Sequence, residues 1–344
     1  MTRPKGAFSD PEDVKDMRVA DVAERMPEYQ GPGDDLLHDP AARDVVAATY
    51  EDEDYEVALE PLSQWQLAWR RFKKHRMAMV GSVMVGTMVF IAIFGPILWP
   101  YDPLELTRIS RPGGDPPSMA NIFGTDYLGR SVWELVVNGA RLSVAFGLVT
   151  MVVATTIGVS VGVIAGFFGG RVDNLLMRFV DLMLAIPFLF IILVAAAFFG
   201  GGDPLLLMII FGLLSWPTLA RLTRALFLSL REQEYVDAAR AVGVGDWRIA
   251  FRHILPNALG PIIVSATLIV ANAIILEAFV SFLNFGIRNT DVSWGTALSA
   301  SQGQLILGNW WWAFFPGMAI AFMVIGINFM GDGLRDAFDP RAHD

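Results

Sequence analysis

The sequence predicts an all-α polytopic membrane protein with six transmembrane helices. Of its 344 residues 54% are hydrophobic, a higher share than in ordinary soluble domains. Apolar segments also recur along the chain near the length of about 20 residues that a helix needs to cross a bilayer core. Five segments meet this length plainly or nearly so: 77–98, 142–168, 175–199, 258–285 and 310–330. A sixth, 204–216, is short and extends through Pro217 toward Arg221, so we count it as a helix with a proline inside.

An acidic segment precedes the first apolar one. Residues 1–60 hold 17 Asp and Glu against 6 Lys and Arg, whereas the rest of the chain holds 18 against 20. Because this segment, 1–62, lacks a sustained helical period, we expect a mostly disordered cytoplasmic tail. Its first 30 residues contain no apolar core of a signal peptide, so we expect the segment that begins near Met77 to act as an uncleaved anchor.

The remaining residues divide into four parts. In 63–76, aromatic side chains such as Trp65 and Trp69 lie among basic ones, a pattern typical of an amphipathic helix at the membrane interface. The other predicted parts are a first transmembrane helix with an outer loop over 77–139, five helices over 140–333 with a polar loop at 232–256, and a cytoplasmic C-terminal tail over 334–344.

The distribution of Lys and Arg predicts a multi-pass cell-membrane protein with both termini in the cytoplasm. In that orientation the cytoplasmic segments, without the acidic tail, hold 15 basic residues and the opposite side holds 5. Positive residues accumulate on the cytoplasmic side of membrane proteins. Trp99, Tyr101 and the tryptophans at 310–312 then fall at the outer interface, where such rings concentrate.

The sequence contains no pattern that indicates catalysis or a metal site. No Gly-Lys pair occurs, so there is no GxxxxGK[ST] loop for ATP, and HExxH is also missing. There is no Cys, and the four His are scattered. We therefore expect a chain that is not an enzyme and binds no metal, and any ATP hydrolysis would take place on another subunit.

The most informative segment is 234–257, EYVDAARAVGVGDWRIAFRHILPN, which is charged and helix-prone between apolar segments. It coincides almost entirely with the polar loop 232–256, which we call the elbow. Alanines such as Ala238 favour helix, and Gly243 stands where a chain leaves a helix with φ > 0. Asp246 is a suitable N-cap for a second helix, which we expect to stop before Pro256. Such an elbow between membrane spans indicates contact with a soluble partner.

This segment resembles the EAA loop of ABC-importer permeases, which docks into the ATPase subunit. Asp237 stands where the family usually has Glu, and His253 where Ile is common. By this resemblance, the residues that couple the chain to an ATPase are Glu234, Asp237, Ala238, Ala239, Gly243, Leu255 and Pro256, with Ala238 and Ala239 allowing close approach.

Three further stretches resemble the peptide/nickel branch of that family, in particular its C-type permease chain. They are FGTDYLGR at 123–130, GFFGGRVDNLLMRFVDLMLAI at 166–186, and NFMGDGLRDAFDPR at 328–341. In the family an Asp often follows the Arg of the first stretch; here it is Ser131. The resemblance covers about residues 63–344.

The resemblance implies a type I ABC importer fold with a cytoplasmic coupling helix. The chain would form half of a translocation pathway for peptides or a related small solute. It would bind no cofactor and no nucleic acid. Its partners would be membrane lipid, a second homologous permease chain, two cytoplasmic ATPases that bind ATP and Mg, and an extracytoplasmic substrate-binding protein. Nickel or sugars remain alternative substrates, and an ion-gradient-driven secondary transporter or an integral-membrane enzyme remain alternative classes.

Two features inside the predicted helices concern packing. Gly158, Gly162 and Gly166 recur every fourth residue, which allows close helix approach. Glu277 lies well inside the fifth apolar segment, where an ionisable group is costly and faces a partner, a cavity or a pathway. We expect it to be buried and partnered, either fixing helix packing or lining and gating the pathway. Arg178 and Asp181 are spaced i,i+3 and are expected to pair.

Overall fold

The computed structural model describes residues 63–101, 113–198, 203–287 and 291–338. The predicted acidic tail, 1–62, and the last six residues of the predicted C-terminal tail lie outside these ranges. The described residues form helices joined by turns and loops. Their bounds are α1 Gln64–Lys74, α2 Arg76–Leu98, α3 Val132–Phe168, α4 Gly170–Ala185, α5 Phe188–Phe198, α6 Pro204–Leu230, α7 Glu234–Ala241, α8 Asp246–Phe282, α9 Trp294–Ala300 and α10 Trp311–Phe338.

The predicted all-helical membrane fold is confirmed. Five helices, α2, α3, α6, α8 and α10, are long and apolar enough to cross a membrane. The predicted third span is instead two helices, α4 and α5, bent by 75° at a short break, and it gives a sixth span only if the pair is counted as one. The break lies at Ile186, whose backbone is extended, because the residue before Pro187 is sterically disfavoured in the α conformation.

Helix α3 begins ten residues before the apolar segment that predicts it. Its first turns carry Glu134, Asn138 and Arg141, which an apolar-length criterion leaves out. Ser131 is the N-cap, its Oγ 3.5 Å from the backbone N of Glu134. Ser and Asp are both good N-caps, so the replacement of the family's Asp by Ser131 preserves this position's helix-starting role.

The stretch FGTDYLGR, which precedes α3, folds into a compact turn. Asp126 Oδ1 accepts hydrogen bonds from the backbone N of Leu128 and of Arg130, both at 2.9 Å, and its other oxygen binds the Arg130 guanidinium. Burial disfavours the Arg130 charge, but the adjacent Asp126 carboxylate outweighs this and raises the pKa of Arg130 above its ordinary value. The indoles of Trp311 and Trp312 both donate to the Thr125 carbonyl, which ties the turn to the start of α10.

The glycines at every fourth position allow close helix approach, as predicted, and the helix that approaches them is α6. A Cβ at Gly158 would lie 2.9 Å from the Trp216 carbonyl oxygen, and one at Gly162 would lie 2.5 Å from the Thr223 Cβ. A Cβ at Gly166 would approach the Phe227 Cβ to 2.6 Å. Because the two backbones meet this closely, only glycine fits along the ridge.

Ion pairs attach α4 to α6. Asp173 binds the Arg224 guanidinium through both oxygens, with Nη2 at 2.6 Å from Oδ2. Asp181 binds Arg221. The expected pairing of Asp181 with Arg178 is therefore wrong, since the carboxylate reaches across to the neighbouring helix rather than along its own.

The predicted interfacial helix is α1, and it packs on the C-terminal end of α10. Ala68 and Phe72 are buried there against Ala337, while Trp69 remains 57% exposed on the other side. His75 separates α1 from α2 and caps the latter, since its Nδ1 accepts a hydrogen bond of 3.0 Å from the backbone N of Ala78. Among the described residues, the helix thus packs one face on the protein and exposes aromatic and basic side chains on the other.

Candidate functional site

The elbow begins with α7, which ends in the turn that the sequence predicts. Gly243 has φ +78°, a conformation that side chains other than glycine adopt at a cost. Its backbone N donates to the Arg240 carbonyl at 2.9 Å, and the Val244 N donates to the Ala239 carbonyl at 3.1 Å. This is the Schellman pattern of a helix C-terminus, so the direction of the chain after α7 is fixed by backbone hydrogen bonds.

The second helix of the elbow differs from its prediction. It starts with Gly245 as N-cap and Asp246 as its first residue, and it continues through Pro256 to Phe282. Residues Ile249–Ile254 are π-helical, and the Leu255 N still bonds to the Ala250 carbonyl five residues back. Because Pro256 has no N–H to donate, the helix tolerates it where the wide turn ends and the α-helical spacing resumes. The elbow and the long membrane helix are therefore one continuous element.

The two alanines of the elbow point in different directions. Ala239 is 8% exposed and packs with Val236, Ile249 and Ile254 in a cluster inside this chain. Ala238 is exposed. Successive residues of a helix point about 100° apart, and here the two side chains meet different surroundings. The Ala239 side chain packs with residues of α3, α6 and α8 and anchors the elbow to them, while its role in coupling stays a prediction.

The remaining predicted coupling residues lie at the ends of the elbow. Glu234 and Asp237 are exposed in the first turn of α7, where negative charge complements the helix dipole. Asp237 also pairs with Arg240 at 3.2 Å. Leu255 is half-buried and Pro256 is exposed, both at the end of the π-helical turn.

An exposed apolar patch, which the motif did not indicate, adjoins the elbow. Val242 is 79% exposed and Trp247 55% exposed. Trp247 stacks on Phe251 at 5.8 Å between ring centroids and meets the edge of Phe168 at 5.4 Å. The spacing of four residues between Trp247 and Phe251 was the available signal for a shared helix face. We call Trp247, Phe251 and Phe168 the elbow patch; patches of this kind mark contacts with protein or lipid.

Glu277 is buried and partnered near the far end of α8. Its side chain is 2% exposed, and its Oε1 accepts hydrogen bonds from Ser293 Oγ at 2.7 Å and from Ser281 Oγ at 2.9 Å. Its other oxygen, Oε2, has no hydrogen-bond partner among the described residues. This geometry matches the packing alternative for Glu277.

A groove of about 700 Å³ runs between the break of α4 and α5, helix α6 and helix α8. Its walls are largely apolar, with Leu184 and Phe188 at the break. Polar side chains occur at intervals, namely those of Ser215, Thr218, Ser265 and Asn272. Glu277 lies on a different face of α8 from Asn272, so it does not line this groove.

The comparisons with known proteins place the chain in a family. A family model described as the inner membrane component of binding-protein-dependent transport systems matches residues 158–344. A second, described as the N-terminal transmembrane domain of oligopeptide transport permease C, matches residues 63–112. The dipeptide transport system permease protein DppC of Alkalihalophilus pseudofirmus is 39% identical over 84% of this chain and 93% of its own length. The oligopeptide transport system permease protein OppC of Bacillus subtilis is 37% identical over 86% and 95%.

The chain is an inner-membrane permease of the binding-protein-dependent ABC transporter family.

This membership resolves the alternative classes. The permease is a transport chain rather than an enzyme, and the secondary-transporter and membrane-enzyme alternatives are wrong. A transport system of this kind implies partner ATPases, an external binding protein and a paired permease. As a member of this family the permease binds no cofactor; within the described ranges no three His, Cys, Asp or Glu side chains could together hold a metal ion.

Proposed function

We propose that the permease imports peptides with both of its termini in the cytoplasm. The names of its relatives support the substrate class, since they are dipeptide, oligopeptide and peptide permeases. The excess of Lys and Arg on one side, 15 against 5, supports the orientation. In this orientation the elbow lies in the cytoplasm and α9 lies on the outer face.

The elbow is the surface that binds a cytoplasmic ATPase. The observation that carries this assignment is its two-sided construction: Val236 and Ala239 anchor it to the membrane helices, while Ala238 and the elbow patch face outward. The small Ala238 side chain allows a partner's surface to approach the backbone of α7, and the patch supplies apolar area to bury. Since the elbow is continuous with α8, a displacement by the ATPase reaches the membrane helices directly.

The groove between α4/α5, α6 and α8 is half of the translocation pathway. It is partly open, and a second related permease chain would close it. Each permease of such a pair presents an elbow, so two ATPases complete the complex. The polar groups in the groove are neutral hydroxyls and one amide. Such walls allow peptides of different charge to pass, which leaves selection to the binding protein.

The docking assignment is tested by Ala238→Trp in the reconstituted complex. A bulky side chain at Ala238 holds the ATPase away from α7, so we expect its affinity for the permease to fall at least tenfold, which corresponds to about 1.4 kcal/mol. Ala120→Trp is the matched control, because Ala120 is also exposed but lies in the loop before α3, on the opposite side in the proposed orientation. Equal ATPase binding by both variants, measured by titration in lipid nanodiscs, would remove the assignment.

The substrate class is tested by uptake into proteoliposomes. With ATPases, binding protein and internal ATP present, we expect ATP-dependent accumulation of a labelled peptide that excess unlabelled peptide suppresses. Suppression by nickel or by sugars, with none by peptides, would favour the alternative substrates.

A further inference from the structure

Helix α8 connects the elbow to the opposite side of the protein. It runs without interruption over the 37 residues Asp246–Phe282, which is about 55 Å at 1.5 Å per residue. Its first turns belong to the elbow, and Glu277 lies five residues from its end. Any element that binds Glu277 is therefore connected to the elbow through a single helix. The inference below rests on the proposed docking of the elbow to an ATPase.

Glu277 joins α8 to α9. Ser293 is the N-cap of α9, since its Oγ accepts a hydrogen bond of 3.0 Å from the backbone N of Thr296. The same hydroxyl donates to Glu277 Oε1 at 2.7 Å. One serine therefore starts α9 and binds it to α8, and we call this Glu277–Ser293 contact the latch.

The packing around the latch is too close for any side chain at Gly295. A Cβ there would lie 2.7 Å from Glu277 Oε1 and 2.7 Å from the Ala278 Cα. The next contact of α9 is with α3, because the Trp294 N donates to Ser143 Oγ at 3.0 Å and the Trp294 indole to the Val136 carbonyl at 2.9 Å. The first turn of α9 is thus clamped between α8 and α3.

The latch is costly, which distinguishes it from simple packing. Glu277 Oε2 is buried without a hydrogen-bond partner among the described residues, and such an unsatisfied polar atom destabilises a fold more than an apolar side chain of similar size. A polar cavity of about 620 Å³ lies next to it, lined in part by Ser281, Asn284 and Thr296. A small displacement of α9 would open Glu277 to this cavity and hydrate the unsatisfied oxygen. An open arrangement would hydrate this oxygen but lose the serine hydrogen bonds that the closed arrangement keeps.

We propose that Glu277 is a positioning residue that fastens α9 to α8, so that movement of the elbow is transmitted to the outer face of the permease through the latch. In the closed arrangement α9 moves with α8. In the open arrangement the two separate and the signal is lost. The same contact transmits movement in the opposite direction, from a binding protein on the outer face to the ATPases.

The test removes the Glu277–Ser293 hydrogen bond without creating a cavity. Glu277→Leu fills the volume, removes the unsatisfied oxygen and leaves Ser293 in place to cap α9. Glu277→Gln keeps an oxygen that can accept the two serine hydrogen bonds, so it is the conservative rescue. Thr150→Val is the matched control, because it removes a buried hydroxyl bonded to the Met208 carbonyl between α3 and α6, away from the latch.

Each variant is assembled with its ATPases and binding protein in nanodiscs. For Glu277→Leu we expect normal assembly, an unchanged or raised melting temperature and unchanged basal ATP hydrolysis, but stimulation by peptide-loaded binding protein reduced about tenfold. Glu277→Gln should retain most of the stimulation and Thr150→Val all of it. A merely structural role predicts that stimulation follows the melting temperature. Full stimulation of a stable Glu277→Leu complex overturns the proposal, as does an equal loss in Thr150→Val.

Two further arrangements keep the test decisive. If Glu277→Leu does not assemble, Ser293→Gly takes its place, since glycine is an acceptable N-cap but offers no hydroxyl to Glu277; full stimulation in that variant also overturns the proposal. If the proposed docking of the elbow is wrong, a different experiment reveals it, because the Ala238→Trp variant then binds the ATPase normally. The latch variants are expected to bind ATPase normally, so the two failures are distinguishable.

Discussion

At the residue scale, the elbow shows that a sequence motif identifies important residues but does not predict the direction in which their side chains point. Ala238 and Ala239 are neighbours in the sequence and share one expected role, yet one is exposed and the other is buried in the chain's own core. Glu277 is a similar case, since its place in an apolar segment predicts a partner but not which one. In both cases the direction of the side chain depends on which helices surround it.

A substitution at Gly243 tests the cost of a positive φ alone, because an added side chain there meets no steric clash. A Cβ would meet nothing within 4 Å at either Gly243 or Gly245, but only Gly243 has a positive φ. Gly243→Ser should therefore lower the free energy of unfolding by about 1–2 kcal/mol, the cost of the left-handed conformation, and weaken ATPase binding. Gly243→Val should be worse, because β-branched residues resist φ > 0.

The matched control is Gly245→Ser. Gly245 has φ −67° and is the N-cap of α8, a position that serine favours. Thermal unfolding followed by tryptophan fluorescence, together with ATPase titration, should leave this variant equal to or better than the unsubstituted permease. A Gly243→Ser variant as stable as Gly245→Ser would contradict the role of the turn.

At the element scale, the helices depart from their apolar segments where polar or proline residues enter them. The break between α4 and α5 follows from Pro187, and the π-helical turn of α8 ends just before Pro256. The early start of α3 lies among polar residues that a hydropathy criterion excludes. Each helix follows backbone hydrogen bonding, whereas an apolar segment reports only which part of it meets an apolar environment.

The contact of α3 with α6 gives a second prediction. Gly162→Ala places a Cβ 2.5 Å from the Thr223 Cβ and 2.7 Å from the Ala220 carbonyl oxygen, so the helices must separate. We expect a loss of about 1–3 kcal/mol in the free energy of unfolding, typical of overpacking. Gly86→Ala in α2 is the control, since nothing lies within 4 Å of that Cβ and alanine favours helix by about 0.5–1 kcal/mol.

Thermal denaturation in a mild detergent compares the two alanine variants directly. We expect a lower melting temperature for Gly162→Ala and an unchanged or higher one for Gly86→Ala. Similar melting temperatures for both would mean that the glycine ridge is not a limiting contact.

At the scale of the whole molecule, the permease is built as one part of a larger assembly. Its groove is partly open, its elbow patch is exposed, and α8 links the elbow to the opposite face. These features fit the proposed role of a permease whose movements partner ATPases drive. They also require a definite orientation in the membrane.

The orientation is tested with single cysteines, because the natural chain contains none. Ser118→Cys lies in the exposed loop before α3 and Asp246→Cys in the exposed elbow. In intact cells a membrane-impermeant thiol reagent should label Ser118→Cys only, and permeabilised cells should label both. Labelling of Asp246→Cys alone in intact cells would reverse the proposed topology and place the elbow away from the ATPases.

The sequence by itself determined the helical membrane fold, the position of the elbow and the family of the chain. Apolar segments predict membrane helices because backbone groups in lipid must bond within the segment. The turn at Gly243 could also be predicted, because a local helix end has local requirements. The glycine ridge of α3 belongs to the same group, since its spacing follows from the helix repeat alone.

Only the tertiary structure decided which surfaces those elements present. The inward direction of Ala239, the pairing of Asp181 with Arg221 and the contact of Glu277 with Ser293 each join residues from different helices. The continuity of the elbow with α8 likewise depends on the widened turn that accommodates Pro256. Such contacts depend on how helices pack against one another. A periodic pattern within one helix shows which face is apolar, but it does not identify the helix that packs against that face.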